Sequence, residues 1–184
     1  MSEFSDQELL ERFRDPSGSQ KHYAFNLLVK KYQQRIYAHI RRMVIDHDDA
    51  NDLVQNTFIK IWSHLDGFRE DSKLFTWMYR VATNETLGFL KQKKKRFFLP
   101  IGNAEAELQA KLIQEPGINA NRLELKLQKA ILALPEKQRL VFHMRYYDNM
   151  KYEEMSQVLE TSVGALKASY HHAVQKVEKY LKED

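Results

Sequence analysis

The chain has 184 residues, 29 Lys and Arg against 25 Asp and Glu for a formal charge of +4, 43% hydrophobic residues and no cysteine. This length allows one mid-sized domain or two small ones, and the composition is that of a folded protein that buries a core. The missing cysteines exclude disulfides and thiolate metal sites, and no apolar run approaches the roughly 20 residues needed to span a bilayer.

Only 6 Gly and 4 Pro are present, and apolar residues recur at three- and four-residue spacings, so the chain is expected to be nearly all helix. Residues 1–22 carry net negative charge. The opening MSEFSDQELLERFRD is acidic and interrupted by charges, unlike a secretory signal, which leaves a cytoplasmic protein as the expectation. A short helix over residues 5–13 ends in the turn-like Asp15-Pro16-Ser17-Gly18-Ser19.

Residues 23–96 read as a first compact bundle, and residues 21–96 carry 15 basic and 8 acidic groups, the largest positive excess in the chain. A helix over residues 23–45 aligns Leu27, Leu28, Tyr32, Ile36 and Ile40. Asp46-His47-Asp48 breaks it and offers a carboxylate cap to a helix over residues 49–65. That helix buries Ala50, Leu53, Val54, Thr57, Phe58 and Ile61, and turns Asp52, Gln55, Asn56 and Lys60 outward. A polar loop over residues 66–71 follows. Ser72 can then cap a helix over residues 73–95 whose inward stripe is Leu74, Trp77, Met78, Val81 and Phe89. It ends in KQKKKR (residues 91–96), a run suited to phosphate without carrying sequence information, and equally to a helix C-terminus.

Residues 97–121 hold two Pro and two Gly with scattered acids, and read as an acidic linker with a helical piece around residues 104–113. A second bundle, residues 122–184, opens with Leu123, Leu127, Ala130 and Ile131 on one face; Leu134-Pro135 ends that helix and starts another, with Pro135 at its first position, running to about Tyr147.

A short amphipathic helix over residues 152–159, the connection Glu160-Thr161-Ser162 and a long helix after it have the arrangement of a helix-turn-helix. Val163, Leu166, Tyr170, Ala173, Val177 and Leu181 fall on one face of the long helix, opposite Lys167, Ala168, His171, His172 and Gln175. Lysine there can reach guanine edges or phosphate, and small neighbours permit close approach. An ordinary helical hairpin is the competing reading. Adjacent His171 and His172 point about 100° apart on a helix, so they do not suit one metal ion.

These segments resemble the extracytoplasmic-function group of bacterial sigma factors over about residues 23–96 and 122–181. DANDLVQNTFIKIW (49–62) resembles the family's polymerase-binding helix. LFTWMYRVATNETLGFLKQKKKR (74–96) resembles the part that meets the minus-ten promoter element. ALPEKQRLVFHMRYYDNMKYEEMSQVLETSVGALKASYHHA (133–173) resembles sigma region 4. The resemblance implies an all-α protein: a region 2 bundle, a linker and a region 4 helix-turn-helix. It implies that Asp52, Gln55, Asn56 and Ile59 meet polymerase core. Phe68, Arg69, Lys73, Tyr79, Arg80, Thr83, Asn84, Leu87, Lys91 and Lys94 would meet minus-ten DNA. Arg145, Lys151, Lys167, Ala168, Ser169, His171 and His172 would meet the minus-thirty-five element. Partners implied are RNA polymerase core, promoter DNA and an anti-sigma factor, with a monomer as the free state and no cofactor.

Departures from the family pattern are Asn51 and Asn56 for the usual glutamates, Gly88 for Asp or Asn, Lys151 for a Ser or Thr cap, and Glu160 for the frequent turn glycine. Ala168 and His171 occupy promoter-reading positions, so a promoter sequence cannot be carried over. A helix-turn-helix regulator that binds operators without polymerase is the alternative function. An enzyme is disfavoured, since no glycine-rich phosphate loop, HExxH or nucleophile motif is present.

Overall fold

The computed structural model describes residues 4–96 and 122–182, with side chains for residues 4–93 and 123–182. Among them are eight helices and no strand. The expected linker, residues 97–121, lies outside the described residues.

Helix α1 (Asp6–Phe13) starts at a reciprocal cap: the Glu8 N–H donates to Ser5 Oγ at 3.2 Å, and the Ser5 N–H donates to the Glu8 carboxylate at 2.7 Å. Its buried face is Leu9, Leu10 and Phe13. α2 (Lys21–Val44) closes at Ile45, which adopts a left-handed φ of 64° while its N–H bonds the Arg41 carbonyl. That conformation is costly for a β-branched residue, and it is held because the Ile45 side chain is buried against Leu132 of the second bundle. The tight exit makes Asp46 the cap of α3 (His47–His64), accepting the Asp48 and Asp49 N–H groups at 3.0 and 3.1 Å. Helix α3 therefore begins two residues before the sequence expectation.

A 3-10 turn (Leu65–Gly67) and a loop lead to α4 (Leu74–Arg96). Helices α1–α4 close around Leu28, Ile36, Ile40, Ile61, Leu65 and Met78. Phe13 is fully buried there, with its ring edge-on to Trp62 at 5.2 Å.

The second bundle holds α5 (Arg122–Leu132), α6 (Glu136–Tyr146), α7 (Tyr152–Leu159) and α8 (Val163–Lys182). Its core includes Ala130, Ile131, Leu134, Phe142, Ala173 and Val177. Pro135 is the cap residue, one place before the first helical residue. Leu123, expected on the inward face of α5, is 65% exposed. One turn on, the Lys126 ammonium reaches the Leu181 carbonyl in the last turn of α8.

The bundles pack on one another. Met43 of α2 and Tyr79 of α4 share an apolar cluster with Leu140, Met144, Met150, Met155 and Val158. His143 is buried beside this junction, and neither ring nitrogen has a hydrogen-bond partner among the described residues. Burial, with the cationic Arg42 and Arg139 nearby, lowers its pKa to about 3.

Two outcomes follow. Phe13→Ala should cost about 3–5 kcal/mol in chemical denaturation, the usual range for removing a buried ring. An unfolded chain protonates His143 near its ordinary 6.5 while the folded one resists down to about 3, so stability is fully present above pH 6.5 and is lost as pH falls through that window. Burial lowers His39 in the same direction. Between pH 7.5 and pH 5 the His143 share is about 2 kcal/mol. In urea titrations His143→Leu should lose distinctly less stability over that interval than the unmodified chain; an equal loss would contradict the assignment.

Candidate nucleic-acid interface

The helix-turn-helix is built from its turn outward. Met155, Val158 and Leu166 are buried between α7 and α8 and fix the crossing of the two helices. Glu160 ends α7 in the left-handed region at φ 50°, where glycine would be at ease. Of the two caps open to α8, Ser162 is used: its Oγ accepts the Ala165 N–H at 3.3 Å, while the Thr161 hydroxyl turns back to the Leu159 carbonyl. With that register set, Lys167, Ala168, His171 and His172 are exposed together on α8, and Ser169 is half-buried.

Arg145 and Lys151 flank this face. Arg145 is half-buried and donates to Asn149 Oδ1 and the Met150 carbonyl, both at 3.3 Å; Lys151 is exposed at the start of α7. Both Arg145 and Lys167 lie over the Tyr152 ring, 5.4 and 5.7 Å from its centre. Sequence reasoning missed Tyr152, although the basic-aromatic interleaving of RYYDNMKY carried the signal.

In the first bundle, Asp52, Gln55 and Asn56 are exposed along α3, beside Ile59 at 63%. Ion pairs Lys60–Glu85 and Lys93–Asp49 tie that helix to α4. On the loop and α4, Arg69, Lys73, Arg80, Asn84 and Lys91 are exposed, and the Lys94 side chain lies outside the described ones. A cleft of about 460 Å³ runs between this loop and α7, lined by Arg69, Trp77, Arg80, Gln157 and Glu160.

Four expected DNA-side residues are placed otherwise. Phe68 is not an outward stacking surface: its ring is buried 5.2 Å from Trp77. The loop is short and apolar support lies beneath it, so the ring folds onto the core. Thr83 is fully buried, because its hydroxyl donates to the Tyr79 carbonyl at 2.8 Å and meets His39 Nε2 at 2.9 Å. Tyr79 is buried under the second bundle, and Leu87 is half-buried against the same apolar cluster.

The Tyr79 hydroxyl lies 2.7 Å from His39 Nδ1 and also hydrogen-bonds the Asp148 carboxylate, which Arg42 approaches from α2. Burial pushes the Asp148 carboxyl up, but His39, Arg42 and Tyr79 together hold it below the usual carboxylate range. Burial, then the Asp148 charge, raises the Tyr79 phenol well above its ordinary value. None of His39, Arg42 or Asp148 stood out in the sequence, where no motif or spacing links them.

Residues 28–96 match the sigma-70 region 2 family and residues 124–177 match the sigma-70 region 4 family. The ECF RNA polymerase sigma-E factor of Escherichia coli is 34% identical over 94% of this chain and 93% of its own. The chain belongs to the ECF sigma factors. The RNA polymerase sigma-H factor of Pseudomonas aeruginosa is 30% identical over 98% of this chain and 96% of its own. Among solved structures, CnrH bound to the cytosolic domain of CnrY has a TM-score of 0.69 at 24% identity, over 97% of this chain and 98% of that one. The sigma factor RpoE of Bartonella quintana, bound to the anti-sigma factor NepR, has a TM-score of 0.64 at 24% identity, over 87% of this chain and 98% of that one. At that identity the two structures establish a shared fold. As an ECF sigma factor this protein is a transcription-initiation factor that works with RNA polymerase, so the free-standing regulator falls away.

Ser162→Ala should remove the cap of the helix that carries Lys167. The expected loss is about 1 kcal/mol in thermal denaturation, with weaker binding of duplex DNA, while the exposed face of α3 is untouched.

Proposed function

We propose that the two bundles divide the work of promoter recognition. Residues 23–96 hold polymerase core and take the minus-ten element, residues 122–184 read the minus-thirty-five element as duplex, and residues 97–121 link them. The exposed stripe Asp52, Gln55, Asn56 and Ile59 on α3 meets polymerase core. A single large apolar residue among polar neighbours is what a protein contact would cover. Lys167, Ala168, Ser169, His171 and His172 read the upstream duplex, with Arg145 and Lys151 on phosphate. Arg69, Lys73, Arg80, Asn84 and Lys91 serve the minus-ten strand, Asn84 having donor and acceptor groups for a base edge.

The observation that carries this reading is the pair of polar faces, on α3 and α8, left exposed by helices otherwise committed to packing. The Bartonella quintana RpoE structure carries the anti-sigma factor NepR, and an anti-sigma partner is proposed for this protein as well. We place it in the cytoplasm, as a monomer when free; among the described residues no helix is long and apolar enough to cross a membrane.

Transcription from genomic templates with sigma-free core polymerase is the test, and failure to bind core or direct initiation would end the reading. Ile59→Asp should abolish core binding without unfolding the chain. Asn84→Ala should lower open-complex formation about tenfold, the worth of one base-edge contact, and leave core binding intact; Lys167→Ala should weaken the upstream duplex contact alone. Loss of core binding in either of the last two would contradict the division.

A further inference from the structure

Helix α1 lies before the region 2 match, which begins at residue 28, yet it is fixed to that bundle. Leu9, Leu10 and Phe13 are buried in the common core, and the Asp6 carboxylate accepts from the Tyr32 hydroxyl at 2.6 Å. The helix ends at Arg14, whose N–H still bonds the Leu10 carbonyl. From that fixed point the Arg14 guanidinium reaches 54 to 56 residues along the chain, into the loop between α3 and α4. One terminal nitrogen donates to Glu70 Oε1 at 2.5 Å and the other to the Phe68 carbonyl.

The two acceptors flank Arg69. A planar fork that holds the backbone at residue 68 and the side chain at residue 70 restricts the residue between them. Phe68 is anchored a second time, its ring buried 5.2 Å from Trp77. Glu70 has a left-handed φ of 62°, which a residue with a side chain keeps only where its surroundings hold it. A further strap, from Lys21 Nζ to Asp66 Oδ2 at 2.6 Å, ties the start of the loop to α2. With its neighbours held, Arg69 stands exposed at the cleft of about 460 Å³ that Trp77 and Arg80 also line. An ion pair between side chains 30% and 40% exposed adds little stability, so what the fork contributes is shape.

We infer that Arg14 is a positioning residue for the melted strand: by gripping residues 68 and 70 it aims Arg69 at the cleft, so helix α1 sets how sharply a base there is told from the others. This rests on the proposed minus-ten role of Arg69. Arg14 itself makes no contact with DNA. Its guanidinium is engaged by protein acceptors and its charge is matched by Glu70, so it lends the strand no net attraction. It also keeps the Glu70 carboxylate from repelling a nearby phosphate.

The test uses the full-length protein bound to core polymerase and a bubble template whose melted non-template segment is randomised. Sequencing bound and unbound templates gives the base preference at each position, and total binding of the pool is measured over a salt series. Arg14→Ala should flatten the preference at one position by about tenfold, in line with one discriminating contact to a base. Total binding of the pool should change less than about twofold, with an unchanged salt slope. Arg69→Ala should flatten the same position, and adding Arg14→Ala to it should change nothing further. Arg14→Lys keeps the charge but offers a compact ammonium in place of the fork, and should lose most of the preference.

Leu9, Leu10 and Phe13 are untouched in these variants, so their thermal transitions, recorded alongside, should stay close to that of the parent. Parent-like preference in Arg14→Ala overturns the inference. So does an undiminished Arg14→Ala effect in the Arg69→Ala background, which marks a general loosening of the loop. A salt slope lowered by about one marks a direct phosphate contact and overturns it too. Full retention by Arg14→Lys overturns the forked grip. A parent with no base preference anywhere in the melted segment ends the minus-ten reading itself, and the inference with it. None of these results touches core binding through α3, which the transcription test reads independently.

Discussion

A carboxylate placed in a protein interior must find donors, and Asp148 finds them in the other half of the molecule. Its oxygens meet the Arg42 guanidinium and the Tyr79 hydroxyl, with His39 behind. Desolvation works against the charge, and only contributions from α2 and α4 keep it ionised. The relative placement of the two bundles follows from this. A rotation that keeps the bundles in contact but breaks this register would leave the carboxylate without its donors inside the closed junction. The Tyr79 hydroxyl sits between His39 Nδ1 and the Asp148 carboxylate and links the two. Such a junction fixes geometry more than it adds net stability.

Within each bundle the physics is more ordinary. Capping groups set the register, from Ser5 and Asp46 in the first bundle to Ser162 in the second, and the apolar stripes they align close two separate cores. The register of α8 decides which of its residues are exposed. One residue of slip would rotate Lys167 by about 100° and carry it off the exposed face. The ring of Tyr152 beneath Lys167 and Arg145 limits their freedom further, so this exposed face is partly ordered.

Much of this was legible in the residues. Periodicity identified the helices, and the boundaries shifted only where a local conformation intervened, as when left-handed Ile45 moved the cap of α3 to Asp46. The outward stripes on α3 and α8 were read correctly because an exposed face shows as polar residues at helical spacing. Helix α4 was read less well. Its sequence declares one apolar stripe, yet Tyr79, Ala82, Thr83 and Thr86 are buried as well. Small and hydroxylated side chains can bury by bonding their own helix, as Thr83 and Thr86 do at the carbonyls four residues back, and this leaves no hydrophobic signature. Phe68 was misplaced for the converse reason, since an aromatic in a polar loop looks free until the ring beneath it, Trp77, is located.

By itself the sequence determined the helical class, the two-bundle division, the helix-turn-helix and membership of the sigma factors, because each is written in local spacing and motif. Only the tertiary structure decided that Asp148 joins the bundles, that Tyr79 and Thr83 are buried, and that α7 packs against α4. These depend on residues some 40 to 110 positions apart meeting in space. An isolated Asp, His or Arg reads the same in sequence whether solvent or another helix will satisfy it, and packing alone makes that choice.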